Sequence, residues 1–391
     1  MEQQFFLFQN YRIRKKIFIK EGREMSNIPF IPPKLPPKVD YTTLIKEIGW
    51  AHNNLGKLNG LLINIPNPGL LTTPLLTKEA VLSSRIEGTQ ATLEDVFKYE
   101  AEGKISEKEE IEKDVREIIN YREALSMAID ELKNRPIGEN FIKKIHFYLF
   151  DSVRGANKDR GNLRRMQVYI GAPGTPIEEA TYIPYIPPPI TELPPLLSNW
   201  ESYINSEQEK DPLIQMGIAH YQFEAIHPFM DGNGRIGRLL IPLLLYQRKL
   251  ISYPLLYISE FFEKNRKDYY DLLNRVSKEE DWEDWIRFFL TALTDQSLKT
   301  QVTVLEIIAL YNNLKKKIAA INSVYAINLL DLIFANPIVS FVSIKKRLKS
   351  RSYQTIYNLL TKFIKIGILK EVSGRKRNKI YIFQQLMDIL K

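Results

Sequence analysis

The chain has 391 residues, 44% of them hydrophobic and 26% charged, which is length for two or three domains and a balance that excludes a disordered, collagenous or fibrous chain. It has no cysteine, so disulfides, thiol nucleophiles and cysteine-ligated metal centres are excluded and a cytoplasmic home fits best. The net charge of +9 is uneven: residues 336–391 hold 13 Lys or Arg against 2 Asp or Glu, a balance of +11, and the remaining 335 residues sum to −2.

Taken in chain order, residues 11–20 (YRIRKKIFIK) are basic, but no apolar stretch of the signal-peptide type follows them. Residues 20–25 (KEGREM) can be encoded by purine-rich codons of the ribosome-binding type, which places the expected start at Met25; otherwise residues 1–25 read as a disordered or strand-forming terminus. Residues 26–41 carry five prolines and form an extended lead-in. Apolar residues at helical spacing predict helices over 43–62 and 78–97, the second with Ser83, Glu87 and Gly88 near its end. Ile111, Val115, Ile118, Leu125, Ile129 and Leu132 trace a further helical stripe.

Residues 152–195, rich in Gly and Pro, leave room only for loops and a short hairpin of 166–170 with 180–183. Helices are predicted again over 196–207, 213–227, 234–248, 267–275, 282–294 and 296–320, the last as a connector. The longest apolar runs, such as 239–246, are far short of the roughly 20 residues that span a bilayer, so no membrane partner is expected. The expected organisation is a terminus (1–25), an N-terminal helical region (26–135), a core (136–295), a connecting helix (296–322) and a C-terminal domain (323–391).

The chemistry is concentrated in residues 227–238, HPFMDGNGRIGR. A helix ends near His227, Pro228 stops it, and Gly232, Asn233 and Gly234 make a turn at the start of the next helix. Amides at a helix start, with its positive dipole end, hold phosphate, and Arg235 and Arg238 add planar donors three residues apart. Asp231 supplies a hard carboxylate for Mg2+. His227 has the near-neutral pKa of a general base. These parts describe nucleotidyl or phosphoryl transfer.

The segment resembles the Fic family, whose signature HPFx[DE]GNGRxxR it matches at every defining position; residues 141–171, 181–184 and 259–294 also look like Fic core sequence. The resemblance implies a mainly α fold, a helical Fic core with a short β-hairpin flap, and protein adenylylation. His227 would deprotonate a hydroxyl of the target protein, which attacks the α-phosphorus of ATP. Asp231 would hold Mg2+, Gly232, Asn233 and Gly234 would form the anion hole, and Arg235 and Arg238 would bind the outer phosphates. Thr181, Tyr182 and Ile183 would form the flap that docks the target as an added strand, Asn265 and Tyr269 would contact the nucleotide, and Phe229 would anchor the loop in the core. Residues 83–88 (SSRIEG) fit the family's inhibitory motif [ST]xxxE[GN]: Glu87 would pair with Arg238 and displace the γ-phosphate, Ser83 would position the helix end, and Gly88 would terminate it. His52, His146 and His220 read as packed or surface residues.

At the C-terminus, a helix over 344–348, a turn over 349–352, a helix over 353–366 and strands 368–372 and 380–383 around a basic tip at 374–378 resemble a winged helix-turn-helix. Gln354, Thr355, Tyr357, Asn358 and Lys362 would face duplex DNA and the wing would contact phosphates. Two other functions fit the same sequence: a DNA-binding regulator whose Fic domain is idle or senses nucleotide, and an enzyme that removes AMP. A homodimer is compatible with each.

Overall fold

A computed structural model of the chain describes residues 18–20, 23–25, 28–65, 67–103, 109–151, 159–170, 185–207, 209–348, 352–375 and 377–391. Strands β1 (Phe18–Lys20) and β2 (Arg23–Met25) pair antiparallel. Residues 28–40 run without helix, and their backbone groups find partners on the structure beneath: Phe30 N–H donates to Ile186 O at 2.8 Å, Leu35 N–H to Asn199 Oδ1 at 2.8 Å, and Gln222 Nε2 to Pro33 O at 2.9 Å.

Helices follow: α1 (Ile45–Ile63), α2 (Gly69–Ile86), α3 (Leu93–Glu102), α4 (Glu109–Glu131), α5 (Glu139–Leu149), α6 (Leu193–Ile204), α7 (Pro212–Ile226), α8 (Asn233–Gln247), α9 (Ser259–Lys264), α10 (Arg266–Glu279) and α11 (Trp282–Ile318). The helix expected over 78–97 is in fact two. The chain leaves α2 at Gly88, φ +100°, and Thr92 opens α3 with a capping box: its hydroxyl accepts from Asp95 N–H while the Asp95 carboxylate accepts from Thr92 N–H. Conversely, the two helices expected over 282–294 and 296–320 are one helix of 37 residues, α11, with neither Pro nor Gly to interrupt it.

The C-terminal part consists of α12 (Ala326–Ala335), β3 (Ile338–Ser340), α13 (Phe341–Arg347), α14 (Tyr353–Lys365), β4 (Lys370–Glu371), β5 (Ile380–Ile382) and α15 (Gln384–Leu390). The helix pair expected there is α13 and α14. The two expected strands are shorter, and β3, unexpected, completes an antiparallel sheet of order β3-β5-β4 with Ile338 opposite Ile382.

The helix α7 is buried along nearly its whole length between α6, α8 and α11, the polar Gln215, His220 and Gln222 included. It therefore carries the site on the most enclosed element of the core. The helix α2 lies against α4, α9 and α12. Buried side chains from Leu35 to Leu390 form one continuous cluster, and a second, smaller one joins Phe97 and Ala101 of α3 to Ile338, Ile380, Ile382 and Met387. Among the described residues no helix is long and apolar enough to cross a membrane. Where the 166–170 strand was expected to pair, Ile170 bridges Tyr185 antiparallel; Thr181, Tyr182 and Ile183 lie outside the described residues.

Candidate active site

The helix α7 ends at His227, whose backbone takes φ +50° and ψ +61°, a region residues with a Cβ seldom adopt. Arg164 holds this turn: its Nε donates to His227 O at 2.9 Å, its backbone N–H to Pro228 O at 2.9 Å and its Nη2 to Pro188 O at 2.5 Å. Burial brings the Arg164 pKa down to about 10. The Nδ1 atom of His227 lies 3.3 Å from Glu224 O. A carbonyl can only accept, so Nδ1 carries the proton and Nε2 keeps its lone pair. Burial lowers the His227 pKa to about 4 against the opposing effect of that carbonyl, below the near-neutral value expected of it, so the ring is neutral at pH 7 with Nε2 as an acceptor.

The loop that follows is closed by its own side chains. Asn233 is buried; its Oδ1 accepts Phe229 N–H at 2.9 Å and its Nδ2 donates to Phe229 O at 2.9 Å. Phe229 is fully buried and stacks on His146 at 4.2 Å, the anchor its position suggested. Gly232 precedes α8 at φ +77°, and a Cβ on it would stand 2.6 Å from Phe150 Cε2, so a side chain has neither the backbone nor the room. Asp231 Oδ1 accepts Gly232 N–H at 2.7 Å, and its side chain is 24% exposed. The first N–H groups of α8 have no intrahelical acceptor and carry the positive end of its dipole. They gather one loop away from His227.

Arg235 and Arg238, three residues apart, are both buried and are drawn to different carboxylates. Arg235 Nη1 donates to Glu117 Oε2 of α4 at 3.1 Å, its Nη2 is 3.7 Å from Asp231 Oδ1, and its guanidinium lies over the Phe150 ring. Arg238 Nε donates to Ser83 Oγ at 2.9 Å, and its Nη2 to Ser83 O at 3.0 Å and to Glu87 Oε1 at 2.6 Å. Burial works against the charge on Arg238, and Glu87, with Glu224 and other neighbours, outweighs it so that its pKa is raised. Ser83 is fully buried, and Glu87 is the C-cap of α2. A Cβ on Gly234 would collide with Glu87 Oε1 and stand 2.9 Å from Arg238 Nη1. The absent side chain is the space the glutamate occupies.

Several participants carried no usable signal in the sequence. Glu117 and Arg164 are 118 and 63 residues from the groups they hold. Arg266 donates to Arg85 O at 2.7 Å and also to Ile86 O, fastening the last turn of α2. Glu224, one turn before His227, has a buried Oε1 without a hydrogen-bond partner, and burial raises its pKa to about 8. Glu79 of α2 accepts from Tyr121 Oη at 3.0 Å and Ser259 Oγ at 2.6 Å, and burial raises it to about 7. Arg238 interacts electrostatically with both.

Of the two residues expected to contact the nucleotide, Tyr269 is buried and Asn265 lies at a helix junction. Tyr269 is 1% exposed, hydrogen-bonds His220 Nε2 at 3.0 Å and stacks on Phe262; it is part of the core. Its neighbour Tyr270 is 37% exposed, and its hydroxyl is influenced by Glu87 and Arg238. Asn265 links α9 to α10 and donates from Nδ2 to Phe261 O at 2.9 Å. Of the other histidines, His52 Nε2 pairs with Asp211 at 2.7 Å, and His146 and His220 are buried. Among the described residues no group of three or more His, Asp or Glu could hold a metal ion.

The profile of the Fic/DOC family N-terminal region matches residues 45–130, and that of the Fic/DOC family matches residues 136–245. A protein adenylyltransferase Fic from Culex quinquefasciatus is 37% identical over 130 residues, 33% of this chain and 22% of that protein. One of the same name from Drosophila mojavensis is 30% identical over 185 residues, 45% of this chain and 32% of that protein. The matches thus span a third or less of those relatives. A Fic family protein from Desulfovibrio desulfuricans G20 shares the fold, with a TM-score of 0.57 at 20% identity over 89% of this chain and 98% of that one.

Proposed function

The chain belongs to the Fic/DOC family, and on that premise we propose that it is a nucleotidyltransferase that moves AMP from ATP to a Tyr, Thr or Ser hydroxyl of a protein target. The observation that carries the reading is the neutral His227, its Nδ1 proton held by Glu224 O, one loop before the N-terminal amides of α8 and within electrostatic reach of Glu87, the partner of Arg238. The target oxygen attacks the α-phosphorus, Nε2 takes its proton, the bond to pyrophosphate breaks, and AMP remains on the target. The α8 amides and an arginine hold the phosphates through the change.

Asp231 suits Mg2+, which keeps most of its shell as water and substrate phosphate and needs only one or two protein carboxylates. Its side chain is part-exposed on the loop before α8. A Mg2+ ion held there would offset phosphate charge.

Glu87 is read as the inhibitor. Its carboxylate takes an Arg238 donor and puts negative charge where an outer phosphate would sit, and like charges in a partly buried site repel strongly. Transfer of label from [α-32P]ATP to protein, compared between wild type, Glu87→Gly and His227→Ala, tests both parts. More label in Glu87→Gly and none in His227→Ala is expected. Equal label in wild type and Glu87→Gly would remove the inhibitory role.

A further inference from the structure

The helix that follows the inhibitory glutamate packs on the C-terminal sheet. Phe97 and Ala101 of α3 are buried with Ile338 of β3 and Ile380 and Ile382 of β5, in a cluster separate from the main core. Ser340 binds both sides at once: its hydroxyl accepts Ser343 N–H at 3.1 Å, capping α13, and donates to Ala101 O of α3 at 2.7 Å. At the rim, Arg375, at the tip between β4 and β5, is ion-paired with Glu102, the last residue of α3. The helix α2, which ends at Glu87, also touches α12 and α15. The inhibitory segment is therefore a layer between the active site and the C-terminal module.

The outer face of that module is cationic, in a segment, residues 336–391, that holds 13 Lys or Arg against 2 Asp or Glu. Lys345, Lys346 and Arg347 end α13 exposed, Gln354, Tyr357 and Asn358 stand exposed on α14, and Arg377 and Lys379 are exposed beside Arg375. Of the residues expected to face DNA, Thr355 is half-buried and Lys362 is turned back to donate to Ile321 O at 2.9 Å. A row of cations beside flat and amide side chains on one helix matches a phosphate backbone and its grooves.

We propose that duplex DNA on this face relieves the inhibition by Glu87, because it takes Arg375 away from Glu102. The inference rests on the reading of Glu87 as inhibitor. A phosphate at Arg375 competes with Glu102 for the same guanidinium and places a second negative charge beside that carboxylate, and β5, which continues from its tip, is the strand packed on Phe97 and Ala101. Pulling the tip outward loosens α3, and α3 begins six residues after Glu87. DNA and an outer phosphate of ATP thus favour the same released state, which is what couples two sites.

The test measures AMP transfer by the full chain at low salt with and without a short duplex of mixed sequence, alongside retardation of that duplex. Saturating DNA should raise wild-type transfer by about two- to fivefold, the range a single part-exposed ion pair can shift. Glu102→Gln should raise transfer by a similar factor without DNA and respond little to it. The swapped pair, Glu102→Arg with Arg375→Glu, should return basal transfer to the wild-type level. In the Glu87→Gly chain neither DNA nor Glu102→Gln should change transfer. An unretarded duplex overturns DNA as the partner. Retardation with unchanged wild-type transfer, or an equal rise in the Glu87→Gly chain, overturns the coupling. A Glu87→Gly chain no more active than wild type defeats the inhibitory reading itself, a failure visible before any DNA is added.

Discussion

Two arginines three residues apart on α8 make the same kind of bond to a glutamate, in very different surroundings. The Arg235–Glu117 pair joins two helix interiors, with side chains 5% and 12% exposed. In the Arg238–Glu87 pair the arginine is 1% exposed but the carboxylate is 34% exposed, on the last turn of a helix that ends there. The first is a strut: neither partner can leave without abandoning a charge in the core. In the second only the arginine is committed. The glutamate can turn to water, and Ser83 still satisfies two of the guanidinium donors. Charge pairing alone does not distinguish a brace from a latch; solvent access on one side does.

The comparison can be broken at several points, in decreasing order of effect. His227→Ala should lower transfer by about 10²- to 10⁴-fold whichever pair is intact, with ATP affinity kept; labelled transfer and calorimetry check it. Glu117→Ala should destabilise the fold by about 3 kcal/mol in chemical denaturation, because the buried Arg235 then keeps only the more distant, part-exposed Asp231 as counter-charge, and should not raise transfer. Glu87→Gly should do the reverse, leaving stability nearly unchanged and raising transfer by about 5- to 150-fold, the usual span of a coupling between two states. If Glu117→Ala activates and Glu87→Gly unfolds, strut and latch have been assigned the wrong way round. Asp231→Ala should weaken Mg2+-dependent ATP binding by about tenfold, measured calorimetrically with and without the ion.

The smallest effect is in the pH dependence of stability. Glu79 and Glu224 titrate from 4.5 when unfolded and near 7 and 8 when folded, both raised first by burial. Between those values the folded chain binds more protons, so stability declines as pH rises through that window. His52, raised by its hydrogen bond to Asp211, adds to the same slope. His146, His220 and His227 are lowered, chiefly by burial, to about 4, 3 and 4 from 6.5, so their effect lies below pH 6.5 and has the opposite sign. Glu87 adds to the upward shift of Glu224. Denaturation midpoints at pH 6.5 and 8 should therefore differ less in Glu87→Gly than in wild type and by the same amount in Glu117→Ala.

Much of the site could be read from sequence because it is contiguous. Residues 227–238 bring base, carboxylate, turn and arginines in one stretch, and Ser83 and Glu87 fall one helical turn apart. The struts are another matter. Glu117 finds Arg235 across 118 residues, and nothing local to either glutamate separates it from the many solvated ones. Tyr269 lies seven residues before Val276 on the same buried face of α10, a helical period that marks it as core and leaves Tyr270 outward. The break between α2 and α3 was masked by apolar residues that continue at helical spacing through Gly88 and Thr92. The seat of the C-terminal sheet on α3 was invisible, since Phe97 and Ala101 make the same apolar stripe whatever covers it.

The uninterrupted α11 has a mechanical consequence. Its 37 residues span about 55 Å at ~1.5 Å per residue, from the helices around His220 to the start of the C-terminal module. A rod of that length without proline or glycine does not bend sharply along its course. Any rotation between its two ends has to occur at the short 3₁₀ turn Ala319–Ile321 and at Asn322, which sits at φ +50°. The module beyond that joint folds back onto α2 and α3, so the link that sets its angle to the rod is only four residues wide.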